Sequence, residues 1–235
     1  MRLDKLLSAG LGLGSRTDVK KMIRAGRVRV EGFEKIKPET CIDPERDRVY
    51  VDGKIMKYRE FVYLMLNKPA GVISATRDGR HKTVLDLVPE EYLHFDIFPV
   101  GRLDIDTEGL CLLTNDGALA HRLLSPKHHI SKIYYAEINM PLGESDIELF
   151  KSGIVLDDGY ICMPAELEIC SHNTKCAYVK ICEGKFHQIK RMFESAGKSV
   201  LYLKRIKMHH LTLDENLSSG EIRELTEEEI NGLYA

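Results

Sequence analysis

The chain has 235 residues, 43% of them hydrophobic and 30% charged, with a formal net charge of −2. That length suits one large or two modest domains, and the composition is normal for a soluble globular protein. The longest apolar run, 61–66, is far too short to span a bilayer, and the basic, polar N-terminus lacks a signal-peptide core, so a cytoplasmic protein without membrane contact is expected.

The net charge alone argues against a nucleic-acid binder, but it averages two unlike parts. Residues 1–37 carry 10 Lys and Arg against 4 Asp and Glu, while the remaining 198 carry 24 against 32. A basic module joined to an acidic one is the mark of a localised polyanion-binding patch. In chain order, Leu3, Leu6 and Leu7 stand at i, i+3 and i+4 and predict a short amphipathic helix. Ser15 predicts the N-cap of a second helix, with Asp18 in its first turn, Val19, Met22 and Ile23 as its apolar face and Gly26 as its stop. Arg16, Lys20 and Arg24 recur every four residues beside that face. A strand at 27–30 and another at 49–51 follow, the latter ending in a turn at Asp52 and Gly53. A short linker is expected at 54–60.

From 61 onward strands dominate. They are predicted at 61–66, 71–76, 110–114, 133–138, 176–182 and 200–207. Helices are predicted at 118–124, 145–151 and 187–196, and Thr226 with Glu229 predicts a capping box for a last helix. The pattern implies an α+β fold with a largely antiparallel mixed sheet flanked by helices and loops. The six cysteines, at 41, 111, 162, 170, 176 and 182, form no C-x-x-C pair and read as buried reduced thiols. Clustered metal-ligand spacing is missing, so no metal is expected; Asp106 and Asp116 gain no supporting histidine beside Asp104. The doublets His128, His129 and His209, His210 read as surface or RNA-side groups. There is neither a G-x-G-x-x-G nor a Walker A sequence, and no cofactor is expected.

Four segments carry candidate chemistry. Gly101, Arg102, Leu103 and Asp104, followed by Ile105, Asp106, Thr107, Glu108, Gly109 and Leu110, form a glycine-framed polar turn between apolar segments. On spacing alone Asp104 either caps that turn or is a nucleophile held rigidly at a cleft. Asn67, Lys68, Pro69, Ala70 and Gly71 make a turn after the first strand of the larger module. Lys132, Ile133, Tyr134, Tyr135 and Ala136 open an alternating strand, so the two tyrosines face opposite sides, and either is a core or a site residue. Glu183 to Met192 leaves a strand and enters a helix that sets His187 and Lys190 on one face, either a solvated basic helix start or part of a site.

Together these segments, in this order, resemble the pseudouridine synthases, in the branch typified by the small-subunit ribosomal RNA enzyme. Residues 1–57 resemble the S4 RNA-binding domain, through Arg2 to Leu7 and Ser15 to Val30. Residues 61–235 then correspond to the catalytic domain. The resemblance implies Asp104 as nucleophile, Tyr134 as the active-site tyrosine and Lys190 as the cation paired with Asp104, with Arg191 as the fallback. It implies substrate contacts from Arg102, Leu103, Lys68, Ile189, Arg191 and His187. RNA anchoring falls to Arg2, Lys5, Arg16, Lys20, Lys21, Arg24, Arg27 and Arg29, through phosphate contacts that carry no sequence information.

The implied reaction converts a uridine of ribosomal RNA to pseudouridine, in 16S RNA by the resemblance of 186–192 to the small-subunit enzyme. The partner is ribosomal RNA or an assembling subunit, and a monomer is expected. A carboxylate in water is already ionised near neutral pH. A neighbouring cation matters once the base displaces water, because desolvation disfavours the charged form. The rivals are a 23S-directed enzyme of the same branch, a non-catalytic S4-type assembly factor and a metal-dependent nuclease.

Overall fold

The structure, a computed structural model, describes residues 1–235. It divides into two compact units, Met1–Val62 with Val88–Ile97, and Tyr63–Leu87 with Phe98–Ala235.

In the first unit, helix α1 (Leu3–Lys5) runs into a wider turn at Leu6–Gly10 and is followed by α2 (Arg16–Arg24). Ser15 caps α2 as its sequence predicts: its hydroxyl accepts from the Asp18 amide at 3.3 Å, and the Asp18 carboxylate accepts from the Ser15 amide at 3.2 Å. Strands β1 (Val28–Val30), β2 (Val49–Val51) and β3 (Lys54–Met56) form an antiparallel sheet in that order. Leu3, Leu6, Leu7, Val19 and Ile23 from the helices meet Val28, Val30, Val49 and Val51 from the sheet in one core. Burying each such side chain contributes about 1.5–3 kcal/mol, which holds together a unit with little other regular structure.

The expected linker at 54–60 is corrected here, because its first three residues are β3, paired with β2. Asp52 and Gly53 have φ of 49° and 79°, the two positive values that a tight two-residue hairpin requires, so the turn folds the chain back instead of releasing it.

The second unit is a nine-stranded sheet. Its elements in chain order are β4 (Tyr63–Lys68), β5 (Phe98–Pro99), β6 (Glu108–Thr114), α3 (Gly117–Leu124), β7 (Lys132–Ile138), α4 (Glu144–Ser152), β8 (Glu166–Ile169), β9 (Cys176–Ile181), α5 (Gln188–Ser195), β10 (Val200–Met208), β11 (Leu211–Thr212), β12 (Ile222–Glu224) and α6 (Glu227–Tyr234). The strand order is β12-β4-β6-β10-β7-β9-β8, with β11 on β10 and β5 on β6. The β6–β10 pair is parallel and the rest are antiparallel, as expected of a largely antiparallel mixed sheet. Met65, Leu110, Leu112 and Met208 from the sheet pack with Leu119 and Leu123 of α3 and Leu233 of α6. Asp116 caps α3, accepting from the Leu119 amide at 3.0 Å, and Thr226 with Glu229 forms the predicted capping box of α6.

The strand expected at 71–76 does not form. Gly71 takes φ of +81°, and its amide donates to Ile105; Ile73 makes only an isolated bridge to Thr83. The hydrogen bonds of this segment go to neighbouring loops, including the one that carries Asp104, and not to the sheet. The thiols also differ from expectation: Cys111, Cys162, Cys170 and Cys176 are buried, Cys182 is half-buried and Cys41 is exposed. No helix is long and apolar enough to cross a membrane.

Candidate active site

The loop between β5 and β6 is held from several sides. Gly101 opens it with φ of +83°, and Gly109 closes it with φ of +95°. At Gly109 a Cβ would lie 2.3 Å from the backbone oxygen of Arg205, because β6 and β10 pair there in parallel, so only glycine fits. Between them, the Ser74 hydroxyl accepts from the Leu103 amide at 2.9 Å and faces the Leu103 carbonyl at 3.1 Å. The Thr107 amide donates to the Asp104 carbonyl at 3.1 Å, closing a turn under the carboxylate.

Lys68, at the end of β4, is the central fastener of this loop. Its side chain is fully buried, and its ammonium donates to Pro69 O at 3.0 Å, Thr107 O at 2.8 Å and Ile105 O at 3.4 Å. Burial pulls its pKa from 10.5 down to about 8. The ammonium of Lys68 is thus directed at the backbone that shapes the Asp104 loop.

Asp104 projects from the loop with a quarter of its side chain exposed. Lys190 Nζ lies 3.2 Å from its Oδ2, and His187 Nε2 lies 3.6 Å from its Oδ1. Both partners come from one turn around the start of α5, where spacing of i and i+3 sets side chains on the same helix face. Lys190 also donates to Asp106 Oδ1 at 2.6 Å. Burial works to lower the Lys190 pKa, but hydrogen bonds to Asp106 and Asp104 outweigh it and hold the ammonium above its ordinary range. Burial likewise works to raise Asp106, and the Lys190 hydrogen bond and charge bring it below the usual carboxylate range.

Arg191, one residue on, turns about 100° away around the helix. It pairs with Asp157 and, at 2.7 Å, with Asp158. Arg191 therefore pairs with the turn between Val155 and Ile161, while Lys190 is the cation that faces Asp104.

Strand alternation separates the two tyrosines. Tyr134, mostly buried on β7, lines a cavity of about 60 Å³ with Arg102, Leu103, Asp104, His187 and Ile189. Tyr135 faces the other side, with ring centroids 5.7 Å from Tyr178 and 6.2 Å from Tyr202. Leu103 and Ile189 are buried apolar walls, and Arg102 is exposed at the rim. The arrangement thus offers a fixed carboxylate, a cation against it, an aromatic ring and apolar walls.

Several residues escaped sequence reasoning. Ser74 and Asp106 act as loop clamp and second Lys190 partner. Glu183 is a hub that accepts from Tyr160 at 2.7 Å, the Met163 amide at 2.8 Å and Gln188 at 2.6 Å, fixing the turn ahead of α5. Arg205 is 2% exposed, donates from Nε to Leu110 O at 2.7 Å and leaves one terminal nitrogen unpartnered. A signal for Arg205 existed: it stands in phase with buried Leu203 in an alternating strand.

In the first unit, Arg16, Lys21, Arg24, Arg27 and Arg29 are exposed and Lys20 is half-buried. Arg2 and Arg27 are bound to Asp4 and Asp52, Lys21 lies 4.0 Å from Asp18, and Arg29 covers the Tyr50 ring at 4.0 Å. Arg16, Lys20 and Arg24, the stripe on α2, stand outside those pairs, while Lys5 is exposed at the end of α1.

The chain thus holds a module with a basic helix stripe and a sheet module with a carboxylate-bearing loop, and comparison with known proteins makes the class definite. Residues 62–195 match the RNA pseudouridylate synthase family and residues 1–38 match the S4 domain, so the chain belongs to the pseudouridine synthases and is an isomerase. It is 48% identical over 233 residues to an uncharacterized RNA pseudouridine synthase, YtzG, of Bacillus subtilis, covering 98% of this chain and 97% of the relative. It is 38% identical over 231 residues to ribosomal small subunit pseudouridine synthase A of Escherichia coli, covering 98% of each. A solved pseudouridylate synthase superposes with a TM-score of 0.70 at 36% identity, covering 99% of each chain.

Proposed function

We propose that the enzyme isomerises a specific uridine of 16S ribosomal RNA to pseudouridine, with Asp104 as the nucleophile or base and without a cofactor. The observation that carries this reading is the Asp104–Lys190 contact at 3.2 Å beside the Tyr134 cavity. Isomerisation breaks the C1′–N1 bond, turns the uracil and joins C1′ to C5, with the C5 hydrogen leaving as a proton. Atoms and electrons balance within the nucleotide, so a carboxylate suffices in principle. The target base must leave its stack to reach Asp104. Tyr134 offers it a ring face, Leu103 and Ile189 exclude water, and Lys190 opposes the rise in carboxylate pKa that dehydration brings. Arg102 at the rim is placed to hold a phosphate or fill the gap the base leaves. The stripe of Arg16, Lys20 and Arg24 anchors the RNA backbone. The substrate assignment is supported by the small-subunit enzyme of Escherichia coli at 38% identity over nearly the whole of both chains. Ribosomal RNA in turn implies a cytoplasmic site of action.

The test is tritium release from small- and large-subunit transcripts carrying 5-tritiated uridine, with chelator present. Wild type is expected to release tritium from the small-subunit transcript, while Asp104→Asn binds RNA without release. Release from the large-subunit transcript alone would overturn the substrate assignment. Undiminished release by Asp104→Asn would overturn the role of the carboxylate.

A further inference from the structure

Phe186 is 72% exposed, unusual for a phenylalanine in a soluble enzyme. Its ring stacks on His187, with centroids 3.8 Å apart and planes 18° from parallel. His187 in turn approaches Asp104 at 3.6 Å. The two rings therefore form a stack whose inner member meets the carboxylate and whose outer member faces solvent. Both line the groove of about 910 Å³ that contains Asp104 and Arg102.

This stack is built, not left over. His187 has φ of +49°, a conformation L-residues adopt at some cost. The turn beneath it is clamped, since the Lys185 amide donates to Gln188 Oε1 at 2.9 Å and Gln188 donates to Glu183 at 2.6 Å. Phe186 thus rides on a fixed backbone with its ring uncovered, the preorganised condition for stacking a flat ligand at low entropic cost.

We propose that Phe186, backed by His187, is a stacking platform for the nucleobase next to the target uridine. The inference rests on the RNA-isomerase reading above. Flipping a uridine toward Asp104 strips its neighbour of one stacking partner, and an exposed aromatic ring at the rim replaces it. A ring face stacks on any base, so the platform holds the strand without reading its sequence.

The chain has no tryptophan, so Phe186→Trp installs a single indole at the platform. In the full-length chain with Asp104→Asn, which prevents turnover, saturation with the small-subunit transcript is expected to quench the indole emission at least about twofold. In the otherwise unaltered enzyme, Phe186→Leu should lower single-turnover tritium release at subsaturating RNA about 5-fold or more, the lower end of what one stacked base contributes. Phe186→Tyr and Phe186→Trp should restore it, and the salt dependence of binding should not change, because no charge is altered. Unchanged indole emission while filter retention shows RNA bound, or full activity in Phe186→Leu, overturns the platform and leaves the isomerase reading standing. Retention of neither the small- nor the large-subunit transcript overturns both.

Discussion

Replacing Lys68 by Met separates two opposing energies at one buried group. The ammonium donates to Pro69 O at 3.0 Å and Thr107 O at 2.8 Å, with Ile105 O more distant at 3.4 Å. Orphaning the two close carbonyls costs about 2–6 kcal/mol, at about 1–3 kcal/mol each. Against this stands the burial of a charge: the fall from 10.5 to about 8 corresponds to about 3 kcal/mol recovered when the charge is removed. The net change at neutral pH is therefore small, at most about 3 kcal/mol of destabilisation, and the variant should fold. Its pH dependence should differ. Between pH 8 and 10.5 the folded chain has released the Lys68 proton while the unfolded chain retains it, so wild-type stability gains with rising pH across this window. The Met variant lacks that gain, and below pH 8 the two should run parallel. Urea midpoints of both proteins from pH 7 to about 10.5 measure the difference, and single-turnover tritium release at neutral pH measures the cost to the loop. Loss of the tether on 105–107 should slow release about tenfold or more, since small misplacements of a reacting group are expensive. Stability curves that stay parallel above pH 8, or release within about twofold of wild type, would refute the reasoning.

Lys190→Met leaves Asp104 and Asp106 without their shared cation. Single-turnover release should fall about 100-fold while RNA affinity changes little, and the Asp106 pKa should rise toward the ordinary carboxylate range, measurable by carbon-detected NMR titration. Lys20→Glu with Arg24→Glu should do the reverse: binding weakens about tenfold or more and its salt dependence flattens, whereas the rate at saturating RNA is retained.

Much of this architecture is legible in the sequence because it is locally encoded. The caps at Ser15 and Thr226 need only their own side chains and amides. Strand β4 is legible from the apolar run at 61–66, although it spans Tyr63–Lys68 and so takes in Asn67 and Lys68, which read as a turn. What is not legible depends on distant partners. The 71–76 segment alternates like a strand, but its hydrogen bonds go to loops, from Ile73 to 82–84 and from Gly71 and Ser74 to Ile105 and Leu103. The resemblance favours Lys190 over Arg191, but that Asp157 and Asp158 hold the arginine is visible only in the fold. Lys68 reads by resemblance as a residue that shapes a loop near the site, and only the fold shows that it is buried beneath the Asp104 loop. Tyr134 and Tyr135 are distinguishable in principle by alternation, but which side faces the cavity is a property of the whole sheet.

The left-handed backbone at His187 has a consequence for engineering this enzyme. Glycine would relax that residue by about 1 kcal/mol, so a search for thermostable variants should find glycine or asparagine there. The same exchange deletes the imidazole that lies between Asp104 and the Phe186 ring. Position 187 is thus a point where selection for heat tolerance and selection for turnover pull in opposite directions, and a variant library screened only for survival at high temperature should accumulate well-folded, slow enzymes.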